Sequence, residues 1–424
     1  MKVGVRLHSL LFTTLFVSVG CGDPDASPDT GLQVTDSAGI SVVTTAPVDG
    51  LYAGLAEEPA LVVGELDGPE EYLFGRIASV ARDGAGDLVV ADSRAGEIRV
   101  FDARGRHLRS FGGMGEGPGE FRMLSGAWPV PNGVVAVDGQ QQRITRFGAE
   151  GSLIATSRFT GIGEMGAFAG MGMAGSAMVL NQVRDMGMSS LEESSLEDAA
   201  EALEEEGASV VFLRHGLDGE LVDTLARRPG EKMLLTTSGS GEMMSVDLLR
   251  IPFSRRPTAA GSARGAAVTG GGGYEVVLFG ATGEPSRIAR LDEAPPLLTD
   301  EHLEAYVRGS GNPFVQDEAS VRSMVETYRG MPLPDRLPGY TKLLFADTGE
   351  LWAQRYILPG GEMAHWDVFG TDGLHLGRME VDTSFRIEEV SRGQVVGIAT
   401  DELGVERVEV RDLGRAGRWR PADS

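Results

Sequence analysis

The chain of 424 residues holds one cysteine, Cys21. An intrachain disulfide is therefore excluded, and so is any centre built on a cysteine pair. Positive charge is also scarce. Only 38 Lys and Arg stand against 62 Asp and Glu, for a net charge of −24. An acidic surface of this kind disfavours nucleic acid and anionic lipid as partners and favours solubility. Aromatic residues make up only 6%. The sequence contains no H-E-x-x-H, no G-x-S-x-G and no P-loop, so the common metalloprotease, serine-hydrolase and nucleotide signatures are absent. The one long apolar run, residues 7–20, falls short of the roughly 20 residues a spanning helix needs.

That run has another reading. Lys2 and Arg6 precede it, and it ends at Val19-Gly20-Cys21. A basic start, a short apolar stretch and small residues before a cysteine resemble a bacterial lipoprotein signal. Residues 1–21 are thus expected to be an export signal, with Cys21 as the lipidation site. Acyl chains there would hold the protein at a membrane surface without spanning it. Residues 22–38, rich in Pro, Asp and Gly at their start, are expected to form a flexible tether.

What is abundant is glycine, 60 residues in all, set between short apolar runs. Tight turns account for glycine of this kind better than disorder does. Residues 87–121 give the pattern. Leu88-Val89-Val90-Ala91 is apolar, residues 92–96 are turn-forming, Glu97-Ile98-Arg99-Val100 alternates, and residues 102–105 turn again. Asp92, Ile98, Phe101 and Gly105 recur as Asp138, Ile144, Phe147 and Gly151, at one constant offset. A repeat preserving turn, strand and turn is the mark of stacked sheet units.

Six units follow at about 74–113, 123–159, 168–227, 243–291, 338–381 and 385–413. The four-residue spacing of Phe101 and Gly105 returns at Phe279/Gly283 and Phe369/Gly373. The last unit is one strand short, and either residues 40–44 or 61–63 serve to complete it, which also hides sheet edges. Two helical insertions interrupt the pattern. Residues 191–207 carry Leu196, Ala199, Ala200 and Leu203 on one face of an otherwise acidic helix. Residues 299–328 hold two more helices, the first capped by Thr299. Residues 414–424 are a polar tail.

The stretches Leu88–Asp92, Ile98-Arg99-Val100-Phe101-Asp102, Gly117-Pro118-Gly119-Glu120-Phe121, Arg250-Ile251-Pro252-Phe253-Ser254 and Trp366-Asp367-Val368-Phe369 resemble the NHL-type repeat. More closely, they are similar to bacterial six-bladed β-propeller proteins of the cell envelope. The resemblance spans roughly residues 39–413. It implies an all-β, six-bladed β-propeller with an N-terminal strand closing the last blade. It implies little about activity, because a fold does not fix function.

Five histidines lie beyond His8 of the leader. His107 and His375, just after blade turns, are expected at the surface, and His302 in an exposed helical turn. His215, at an aromatic position of the repeat, and His365 are the two to follow. Gluconolactonase-like propellers, which this chain resembles in fold, bind a divalent cation at inner strand ends. Asn132, Asp138, Asn181 and Asp347 are the candidates for that role, and oxygen ligands would suit Ca²⁺. Against this, turn aspartates usually bond their own backbone. The expectation is a monomeric, exported, lipoprotein-type scaffold. It binds an unidentified protein or small ligand on a propeller face, without cofactor, nucleic acid or catalytic residues. The alternative is a divalent-metal hydrolase or lyase using the central channel.

Overall fold

The computed structural model describes residues 31–50, 52–162, 166–174, 177–185, 201, 203–205, 207–238, 245–311, 313 and 315–415. Its strands form six antiparallel blades around a central channel, the six-bladed β-propeller expected from the repeat.

From the channel outward, blade one is Ile77–Arg82, Leu88–Asp92, Glu97–Phe101 and His107–Gly112. Blade two is Leu124–Val130, Gly133–Asp138, Arg143–Gly148 and Leu153–Arg158. Blade three is Gly166–Met173, Met178–Asp185, Ser209–Gly216 and Leu221–Pro229. Blade four starts with Thr258–Ser262, Gly265–Thr269, Glu275–Gly280 and Pro285–Leu291. Blade five is Tyr340–Phe345, Leu351–Arg355, Met363–Phe369 and His375–Asp382. Blade six is Phe385–Ser391, Gln394–Thr400 and Glu406–Arg415.

Both faces of every blade are apolar because each is buried against a neighbour. Between blades one and two, Val89, Ala91, Ile98 and Val100 meet Leu124, Ala127, Val134 and Ala136. Corresponding layers lie at every other junction around the ring. Burying a side chain of this size contributes about 1.5–3 kcal/mol, so the core is a ring of equivalent layers.

The Phe-to-Gly spacing has a structural cause. The pairing of third with fourth strand is irregular at Phe101, Phe147, His215, Phe279 and Phe369. A bulge there tightens the local twist. The turn glycine four residues on, such as Gly105 with φ +78°, adopts the left-handed conformation. Each turn then seats on the outer strand of the preceding blade, with Gly151 against Phe111 and Gly105 against Leu61 and Val63.

The N-terminal segment resolves which strand closes the ring. Leu61–Val63 pairs with Val408, Glu409 and Val410 of blade six. Tyr52–Leu55 pairs further along the same strand. Ile40–Thr45 does not close the ring. It adds to the outer edge of blade four, parallel to Pro285–Leu291, and Gln33–Ser37 pairs with it in turn. The strand Gln33–Ser37 falls inside the stretch expected to be a tether. Residues 33–63 thus strap blades four, five and six from outside.

Blade four also begins later than expected. Met233–Ser238 and Ser245–Arg250 form a separate hairpin, not part of the blade. The helical insertion is confirmed as Asp300–Gly309 and Glu318–Arg329, capped by Thr299 and Asp317. Leu303, Val307, Val321 and Val325 pack around Phe253 and Leu337. Of the acidic insertion, residues 201 and 203–205 are helical and Leu203 is buried; Leu196, Ala199 and Ala200 lie outside the described residues. In chain order, this insertion, the hairpin and the helix pair all leave blades at the same end, opposite the short turns between first and second strands.

Candidate functional site: the central channel

The innermost strands of all six blades enclose a cavity of about 910 Å³. A radial sheet turns the open edge of its first strand toward the axis, so unpaired backbone N–H and C=O groups face the channel.

On one side these edges are covered by side chains from the next blade. Glu389 accepts the Arg82 amide at 2.7 Å, and Arg386 donates to the Ile77 carbonyl at 2.9 Å, joining blades six and one. Lys342 Nζ donates to the Ile387 carbonyl at 2.6 Å and to Glu388 at 2.8 Å, joining five and six. Ser79 Oγ accepts the Ala127 amide at 2.9 Å and donates to the Ala127 carbonyl at 3.2 Å, joining one and two. The Arg82 guanidinium reaches Gln394 at 2.9 Å. Burial pulls its pKa below the usual value, and the Glu389 charge opposes that pull.

The other side is different. Gly170, Met171, Gly172 and Met173 of blade three, and the stretch from Thr258 to Ser262 of blade four, line the channel with small or soft side chains. Among the described residues no neighbouring side chain bonds these edges. Trp128 lies beside them. A Cβ on Gly126 would stand 2.6 Å from its ring, and one on Gly170 3.0 Å. The glycines therefore make the space the indole occupies. Its N–H has no partner among the described residues.

The charged residues lining the cavity are Arg82, Arg109, Lys342, Asp83, Glu388 and Glu389. Cations and carboxylates balance, in a chain of net charge −24. The Arg109 Nε is buried without a hydrogen-bond partner.

The candidate cation ligands do not meet in this channel. Asp138 is fully buried and accepts the amides of Arg122, Gln140 and Gln141 at 2.7, 3.0 and 2.8 Å. It holds the entry to blade two, as Asp92 does for blade one through Gly75, Arg76, Arg94 and Ala95. Asn181 bonds His215 Nδ1 at 3.0 Å, and His215 Nε2 donates to the Thr160 carbonyl at 2.9 Å. Burial lowers the His215 pKa, against the pull of that carbonyl. Asp347 accepts the Arg392 amide, and Asn132 is exposed in a turn. Among the described residues no three of His, Cys, Asp and Glu are grouped to hold a metal. Cys21 lies outside the described residues. His365 is half exposed beside Glu380, and His302 completes the Thr299 helix cap.

His375 overturns the surface expectation. Its side chain is fully buried, with Nε2 3.1 Å from Asp367 Oδ1. Asp367 also accepts from Tyr340, Arg355 and Arg378. Glu293 grips Arg355 with both oxygens at 2.7 Å, and the Arg355 guanidinium stacks 4.0 Å from the Tyr274 ring. Burial alone would raise the Asp367 pKa. Hydrogen bonds from His375 and Arg355, with the Arg355 and Arg378 charges, more than offset it and hold the carboxylate well below its usual range. The sequence signal for this network was Asp367 itself, a carboxylate inside an apolar strand beside Trp366. The network lies between blades four and five, away from the cavity lining.

The fold finds echoes elsewhere. A family model described as a 6-bladed beta-propeller matches residues 65–161, blades one and two. No curated protein matches the chain in sequence. Among solved structures, a candidate exported protein of Bacteroides fragilis is similar at 11% identity, covering 88% of this chain and 99% of its own, with a TM-score of 0.45. A streptogramin B lyase is similar at 9% identity, with coverages of 86% and 99% and a TM-score of 0.39. A calcium-binding protein, regucalcin of Agrobacterium tumefaciens, is similar at 12% identity, with coverages of 86% and 96% and a TM-score of 0.37.

Proposed function

We propose that this propeller is exported, is held at a membrane surface through lipidated Cys21, and acts as a non-enzymatic binding protein whose ligand occupies the central channel. One observation carries the reading: the channel is sealed by inter-blade bonds on one side and left open, glycine-lined and beside Trp128 on the other. A cavity of about 910 Å³ falls within the roughly 300–1,000 Å³ of small-molecule sites. Lys342 pairs with Glu388, and Asp83 and Glu389 accept main-chain amides, so the channel offers a surface for holding a molecule more than a poised acid, base or nucleophile. The leader supports export, and no described helix is long and apolar enough to cross a membrane.

Elemental analysis of the purified full chain, together with thermal melting before and after chelation, tests this against the hydrolase reading. The binding reading expects no stoichiometric divalent ion and an unchanged melting point. A bound ion whose removal lowers the melting point, with turnover of lactones or esters, would replace it by the metal-dependent enzyme.

A further inference from the structure

We infer that the ligand of this channel is a neutral saccharide, an inference that rests on the channel-binding reading above. Three features of the wall define it. The first is charge. The lining carries Arg82, Arg109 and Lys342 against Asp83, Glu388 and Glu389, and Lys342 is already paired with Glu388. An ion entering here would find no surplus of opposite sign and would lose its hydration, a net cost.

The second is the aromatic wall. Trp128 lies against Gly126 and Gly170, and no larger residue fits at either position without displacing it. An indole beside a glycine-lined strand presents a flat apolar surface with one polar tip. The axial C–H face of a pyranose is also flat and apolar, with hydroxyls around its edge.

The third is unused hydrogen-bonding capacity. Among the described residues no hydrogen bond is made by the Trp128 N–H, and Arg109 Nε is buried and unpaired. The inner edges of blades three and four add main-chain donors and acceptors together. A ligand meeting all of these must both donate and accept at many points without net charge. Hydroxyls do this, whereas a carboxylate only accepts and an ammonium only donates.

The test is binding of the full chain, in detergent, to an array of neutral, acidic and amino glycans with indole as a hydroxyl-free probe, followed by calorimetry on the best glycan. The inference expects neutral glycans to bind, Trp128→Ala to weaken them more than tenfold, and Trp128→Phe, which keeps the packing and loses the N–H, to weaken them three- to tenfold. Failure of every neutral glycan overturns it. Trp128-dependent binding of acidic glycans in their place overturns the neutral ligand, and Trp128-dependent binding of indole alone overturns the saccharide, both leaving the channel as a binding site. Neutral-glycan binding that is indifferent to both variants lies elsewhere and overturns both readings. Circular-dichroism melts of the variants separate lost contacts from lost folding.

Discussion

The amide of Val48 donates to Nδ1 of His375 across 3.1 Å, although the two stand 327 positions apart. With Nδ1 accepting, the ring proton sits on Nε2 and points at Asp367. One imidazole thus ties the N-terminal strap to the buried network of blade five. His375→Phe keeps the volume and removes both bonds, leaving the Val48 amide and part of the buried Asp367 carboxylate unmatched. The expected loss is about 2–3 kcal/mol, read from denaturant unfolding, with faster protease cleavage near residue 48.

Stability should fall in acid. Glu293 has a lowered pKa through hydrogen bonds from Arg355, partly opposed by burial and helped by the Arg355 and Arg378 charges; Asp367 is lowered too. A carboxylate lowered on folding contributes stability above its unfolded pKa, about 4, and loses it as pH falls through the folded value. The melting point should therefore hold from neutral pH to about 5 and decline below about 4. In Glu293→Gln the decline should be shallower, from a lower starting point.

Asp138→Ala separates an anchoring role from a ligand role. Three backbone amides lose their buried carboxylate acceptor at once, and hydrogen bonds to a charged group contribute about 1.5–3 kcal/mol each. Unfolding should shift by about 3 kcal/mol or more whether or not calcium is present. A variant normal without calcium and deficient only with it would restore the cation reading.

Gly105→Ala probes ring closure. At φ +78° a side chain is strained, and the new Cβ would lie 3.0 Å from Leu61 and 3.1 Å from Val63. The left-handed conformation alone costs about 1–2 kcal/mol. Unfolding should occur at lower denaturant, with the closing strand Leu61–Val63 losing hydrogen-exchange protection first.

Cys21→Ser should abolish labelling by radioactive palmitate and move the protein from the membrane fraction to the soluble one. Unchanged membrane association in the variant would point to another anchor.

Much of the propeller was legible because its strands are buried on both faces and its turns demand particular residues. Phe101 and Gly105 declare a bulge and a left-handed turn, and the same pair returns along the chain. The strap was not legible. Gln33–Ser37 is polar and fully exposed, so no apolar alternation marks it. Residues 40–45 and 61–63 are both short and apolar, and only their sheet partners distinguish the closing strand from the added one. The hairpin of Met233–Arg250 has the same local composition as a blade strand, which drew the start of blade four too early. At the site, Asp138 and Asp347 accept main-chain amides, the role that turn aspartates commonly take. His375 was misplaced because its burial comes from a strap far away in sequence. Trp128 carried no signal, since the glycines that make room for it lie partly on another blade.

The strap also sets an order of events in synthesis. The residues that grip blades four to six emerge from the ribosome before those blades exist. Val63 has no strand to pair with until Val408 has been made. Joins this remote in sequence are slow to form, so the ring closes only once the chain is nearly complete. Until then the strand Leu61–Val63 has no partner, and the ring stays open at the junction between the last blade and the first.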